Sequence, residues 1–65
     1  MRHGVYVGSI EDLRGEEALI ILTTTSFVSV QFDNTALELD GKKLGYGWTL
    51  FDVNDFKLDE QEISF

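Results

Sequence analysis

The sequence predicts an all-β fold, a small five-stranded barrel with a short 3₁₀ turn before its last strand. Three observations predict it: β-rich runs of strand length at close spacing, an Asp-Gly dipeptide joining two of them, and no sustained helical period. The best helical stretch, Ser9–Leu19, has Ser9 as a cap and Asp12 three residues on, but Gly15 breaks it and the residues after it turn β-like.

Val5-Tyr6-Val7 is a short β-branched and aromatic strand. Ala18–Thr23 is a continuous apolar run, expected either to be buried on both faces or to lie centrally in the sheet. Ser26–Asp33 alternates, so Val28, Val30 and Phe32 should face one way while Ser29 and Gln31 face the other. Between these runs, Thr23-Thr24-Thr25-Ser26 makes a polar, turn-capable connection.

Asp40-Gly41 suits a type I′ hairpin turn, which needs positive φ at both central residues. A two-residue loop there would set Leu39 opposite Lys42, Glu38 opposite Lys43 and Leu37 opposite Leu44. Glu38 and Lys43 would then form a cross-strand pair of opposite charge. Tyr46–Phe51 follows as a strand, with Trp48 and Leu50 on one face and Thr49 and Phe51 on the other. Asp52–Asp55 is polar enough for a turn or one 3₁₀ turn, and Phe56-Lys57-Leu58 closes the sheet.

A chain of 65 residues allows a single domain, 1–65, with residues 1–3 and 59–65 expected to fray. A domain of this size buries only about 60% of the surface its unfolded chain exposes. With no cysteine to cross-link it, the core must come from aliphatic side chains and from five Phe, two Tyr and one Trp. A homodimer would be one way to bury more. No apolar core follows a basic start at the N terminus, and the longest apolar run is too short to cross a bilayer. A cytoplasmic protein with no membrane partner is expected.

Twelve acids against five bases give a net charge of −7. Residues 1–32 hold four acids and two bases, and residues 33–65 hold eight acids and three bases, so the second half carries most of the excess. Phosphate backbones are bound through Lys and Arg that release counterions, so direct nucleic-acid binding is not expected. Solubility explains the charge in the simplest way; a protein partner with a basic surface is the alternative.

Gly4-Val5-Tyr6-Val7, followed by Asp12–Ile20 with its Gly15, resembles the opening strand, polar loop and second strand of SH3-like and KOW-type barrels. Val28-Ser29-Val30-Gln31-Phe32-Asp33 resembles their third strand, and Gly45–Phe56 their closing strand, 3₁₀ turn and final strand. Over residues 4–58 the chain is similar to short SH3-like proteins of the kind often carried by bacteriophages and mobile elements. That resemblance implies the barrel and says little of activity. The sequence lacks the Ala-Leu-Tyr-Asp-Tyr opening, tandem Trp pair and late Pro of peptide-binding SH3 domains, and acids stand where KOW modules carry basic loop residues.

No constellation for catalysis is visible. His3 is the lone histidine, in a terminal segment expected to fray, with no cysteine and no second histidine for a metal site. The paired acids Glu11-Asp12, Glu16-Glu17 and Asp59-Glu60 read as solvated loops. Gly41, Gly45 and Gly47 are not spaced as a phosphate loop, and Asp33-Asn34 and Asp52–Asp55 lack the EF-hand spacing. A non-enzyme with no cofactor and no metal is therefore expected.

The candidate binding residues are Tyr6, Tyr46, Trp48, Asp52 and Asp55. Tyr46 and Trp48 stand at i and i+2, each after a glycine that would let a partner approach, and Tyr6 would extend their ledge. Trp48 is placed more readily at the centre of the core, with the ledge as the alternative; Tyr46 fits either. Asp52, Asp55, Asp59, Glu60 and Glu62 against Lys57 make an acidic stretch, either a solvated edge or a face for a basic surface. The function expected is a protein–protein interaction or regulatory module. The alternative is a charge-based, DNA-mimic-like inhibitor of a nucleic-acid-processing enzyme.

Overall fold

The computed structural model describes residues 2–58. Met1 and residues 59–65, which include the expected C-terminal fraying and three of the acids, lie outside the described residues.

The described residues form seven strands: β1 (Arg2–Tyr6), β2 (Glu17–Thr23), β3 (Phe27–Phe32), β4 (Glu38–Leu39), β5 (Lys42–Lys43), β6 (Thr49–Asp52) and β7 (Phe56–Leu58). Five of them make one curled antiparallel sheet in the order β6-β3-β2-β1-β7, a half-barrel, and β4 and β5 form a separate hairpin. Within Ser9–Leu19, where Gly15 was expected to break any helix, one 3₁₀ turn forms, Glu11–Leu13. A second 3₁₀ turn, Val53–Asp55, joins β6 to β7; the Asp52 side chain accepts from the Asn54 N–H at 2.8 Å and so caps it.

The hairpin has the register that its turn chemistry specifies. Glu38 pairs with Lys43 and Leu39 with Lys42, and the Leu44 N–H donates to the Leu37 carbonyl at 3.0 Å. Asp40 and Gly41 both take positive φ, 53° and 82°, as a type I′ turn needs.

β1 starts earlier than expected. Arg2 pairs with Ile20 and His3 with Leu19, so two of the three N-terminal residues expected to fray are strand. His3 Nε2 lies 3.6 Å from Asp33 Oδ2.

β2 is central in the sheet, between β1 and β3, but it is not buried on both faces. Ala18 and Ile20 point into the core, whereas Ile21 and Leu22 are exposed. The reason is a bulge. Ile20 pairs with Val30, yet the next pair is Leu22 with Ser29, so β2 spends one extra residue there. Strict alternation from Ile20 would send Leu22 inward; the bulge turns it outward, and Thr23, which pairs with Val28 at the strand's end, is itself exposed.

The core is built from Tyr6, Leu13, Ala18, Ile20, Val28, Val30, Phe32, Leu44 and Phe56. At its centre four rings meet: Tyr6 of β1, Phe32 of β3, Phe51 of β6 and Phe56 of β7. Five of their pairings have centroids 5.4–5.9 Å apart, all edge-on or tilted. Each such contact adds about 0.5–1.5 kcal/mol beyond the area it buries.

The long connection from β3 to β6 is fixed by backbone contact. Leu44 is buried and its carbonyl accepts from the Phe32 N–H at 3.3 Å. A Cβ on Gly45 would lie 2.6 Å from the Thr35 Cα and 2.8 Å from the Asn34 carbonyl oxygen, so two stretches of backbone cross there. Around Gly47 nothing lies within 4 Å.

The two glycines that precede the aromatics are thus expected to behave differently. Gly45→Ala should destabilise by about 2 kcal/mol or more, because backbone must move to admit the methyl, while Gly47→Ala should stay within about 0.5 kcal/mol of wild type. Urea unfolding of both variants checks this. Thr49 Oγ1, buried without a hydrogen-bond partner among the described residues, gives a second expectation. Thr49→Val should be neutral or stabilising by about 1 kcal/mol in the same assay, since it removes an unsatisfied hydroxyl and keeps the shape.

Candidate functional site

The ladders fix which side chains share a face, because directly paired residues point the same way. Val28, Val30 and Phe32 of β3 point inward, and so do Phe51, opposite Val28, and Thr49, opposite Val30. The outward set on β3 is Phe27, Ser29 and Gln31. Leu50 and Leu22 stand on either side of Ser29, and Asp52 stands opposite Phe27.

This outer face is apolar. Leu22, Leu50, Phe27 and the bulged Ile21 are all exposed. Trp48, two residues before Leu50, is 58% exposed and precedes β6 on Leu50's side of the alternation. Ser29 sits in the middle and is only 5% exposed, because the larger side chains around it stand above its short one. Ser29 is thus sheltered between Leu22 and Leu50, with Phe27 on the same side of β3 and the exposed Ile21 and Trp48 adjoining the two leucines in sequence. Gln31 continues the same side of β3, and its amide donates to the Gly45 carbonyl at 3.0 Å, holding the segment before Trp48 against β3.

The expected site residues separate. Trp48, placed more readily in the core by the sequence, is at the surface; Phe51 takes the inward position because it meets three rings from other strands. Tyr46 is 71% exposed, with Lys43 Nζ 5.9 Å from its ring centre. Tyr6 does not extend the ledge. It is 1% exposed, and its hydroxyl oxygen accepts from the Ile10 N–H at 3.2 Å, so the whole ring can be buried with its polar end satisfied.

Asp52 is exposed at the end of the outer face, where its carboxylate also caps the following turn. Asp55 is half-buried on the other side of that turn; its carbonyl accepts from the Val7 N–H at 2.7 Å. The structure therefore does not join Asp55 to Trp48. Sequence reasoning paired Leu50 with Trp48 but missed Ile21, Leu22, Phe27 and the central Ser29. The one available signal was the length of the apolar run Ala18–Leu22, which exceeds what one face of a strand needs.

Among the described residues no group of three or more His, Asp or Glu side chains could hold a metal ion, and no helix is long and apolar enough to cross a membrane. Comparison with family models, with curated proteins and with solved structures finds no match for this chain.

Because the outer face stands clear of the aromatic cluster, it should be separable from folding. Trp48→Ala and Leu50→Ser should each keep a cooperative unfolding transition and lose no more than about 1 kcal/mol, whereas Tyr6→Ala should lose about 3–5 kcal/mol. Thermal unfolding followed by circular dichroism distinguishes the two classes.

Proposed function

We propose that this chain is a non-catalytic interaction module on an SH3-like frame, and that it binds another protein through the outer face around Ser29. The frame is supported by connectivity. β1, β2, β3 and β6 follow one another as an antiparallel meander, and a 3₁₀ turn then carries the chain to β7, which pairs back with β1. That is the arrangement implied by the resemblance of the closing segment, with the β4–β5 hairpin as an addition in the third connection.

One observation carries the binding reading: five large apolar side chains, Ile21, Leu22, Phe27, Trp48 and Leu50, are gathered in solvent on one sheet face. Exposed apolar residues scattered singly need no explanation, whereas a contiguous patch rimmed by polar groups marks a contact surface. Tryptophan at such a site contributes large area for little lost rotamer freedom. The face offers no reacting group. Its polar members are Ser29, sheltered between Leu22 and Leu50, and Gln31, committed to the Gly45 carbonyl.

Charge mimicry of a nucleic acid is the weaker reading. Asp52 is exposed on the outer face while Asp55 is half-buried on the other side of the turn, so these two do not form a row of carboxylates.

Capture of binding proteins from a native lysate tests the proposal, with wild type compared against a Leu22→Glu, Leu50→Glu variant shown to be folded. Species retained by wild type and lost by the variant support it. The same species retained by both, and released together by salt, would shift the function to the acidic surface.

A further inference from the structure

On the reading that the outer face is a docking surface, we infer that its occupant is a short polypeptide segment with an apolar centre and basic residues on both sides of it. Two observations lead there: the size of the face and the charges at its ends.

The side chains around Ser29 expose about 500 Å² in total, taking full side-chain areas of the usual size. A stable interface takes about 800 Å² from each partner. The face is therefore too small for a lasting dimer of two such surfaces, and a symmetric dimer would also bring two chains of net charge −7 together. It is of a size that one segment covers.

Along β3 the outward positions run Phe27, Ser29, Gln31 and then Asp33, the residue after the strand. Asp33 is on this side because its carboxylate lies 3.6 Å from His3, and His3 is paired with Leu19, which is itself paired with Gln31. Glu17, one position before Ala18, is exposed next to it, and its carbonyl accepts from the Asp33 N–H at 3.0 Å. At the opposite end, Asp52 stands beside Phe27. The outward residues of β2, β3 and β6 between these ends, Leu19, Ile21, Leu22, Ser29, Gln31 and Leu50, are uncharged, as is Trp48 just before β6. Lys57 points to this side too, but on β7, three strands from β3 and beyond β1.

An apolar strip bracketed by carboxylates thus spans six residues of β3, ~20 Å at the usual strand rise. A segment lying along it would meet the strip with its apolar centre and the two acidic ends with Lys or Arg. The cations would sit ~20 Å apart, which is about six residues when extended and about thirteen when helical. Acids at both ends also work against the wrong occupants, since an acidic or uniformly apolar segment would leave them unpaired.

The test is selection of a random 16-residue display library on the full chain, followed by titration of the enriched synthetic peptides. The inference expects enriched sequences with Lys or Arg on both sides of an apolar centre. Asp33→Asn with Asp52→Asn should weaken those peptides about tenfold at low salt and flatten their salt dependence; the asparagine at 52 keeps an oxygen to cap the turn. Enriched peptides without flanking cations, or unchanged affinity in the double variant, would overturn the inference while leaving the docking face standing. Binding insensitive to Leu50→Glu would remove the face itself. Sedimentation showing a micromolar dimer that Leu50→Glu dissociates would also overturn the inference, by making a second copy the occupant.

Discussion

Four aromatic rings hold this sheet in its curl. Tyr6, Phe32, Phe51 and Phe56 come from four different strands, two of them the strands at opposite ends of the sheet order. Phe51 belongs to β6 and Phe56 to β7, so their contact at 5.6 Å ties one edge of the sheet to the other across the concave side. A flat sheet could not bring those edges together. The short 3₁₀ turn between the two strands, the cap supplied by Asp52 and the tight crossing at Gly45 are the local geometry that allows the rings to meet. A domain with little surface to bury gains most from large side chains that all touch one another.

With the rings taking the inside, the outside is left to the other large apolar residues. The bulge at Ile21 decides how many there are. It removes Leu22 from the inward series and leaves two aliphatic side chains exposed on the convex side, Leu22 among them facing Ser29 as Leu50 does. A protein that only had to be stable and soluble would gain from Leu22 inside and a polar residue outside. That Leu22 stands outside instead, beside Ser29 and across from Leu50, is the physical basis for the proposal that a partner covers this face.

The parts of this structure legible in the sequence are those set by short-range chemistry. Asp40-Gly41 fixed its own register because only that turn accommodates two successive positive φ values. The alternation of β3 was readable since Val28, Val30 and Phe32 form an unbroken series, although Ser29 is more sheltered than a polar outward residue usually is. The bulge in β2 was not legible, because a run of Ala, Leu and Ile offers no residue whose character marks the extra position. Trp48 was misplaced for a related reason. Trp48 with Leu50 and Thr49 with Phe51 are both plausible inward faces of a strand. The choice depends on rings arriving from residues 6, 32 and 56, which no local pattern contains. Tyr6 could be buried only through the Ile10 N–H that meets its hydroxyl, again a contact invisible to periodicity.

The pairing of β1 with β7, Tyr6 opposite Phe56, has a consequence for how the protein is made. Within this domain the strand made earliest waits for the one made latest, and one of the four rings is missing until residue 56 has emerged. During synthesis the chain can form the β1–β2–β3 meander and its Asp-Gly hairpin, but it cannot close the core. Until Phe56 is available, no partial assembly of the earlier strands contains the whole aromatic cluster, so the domain becomes native in one late step.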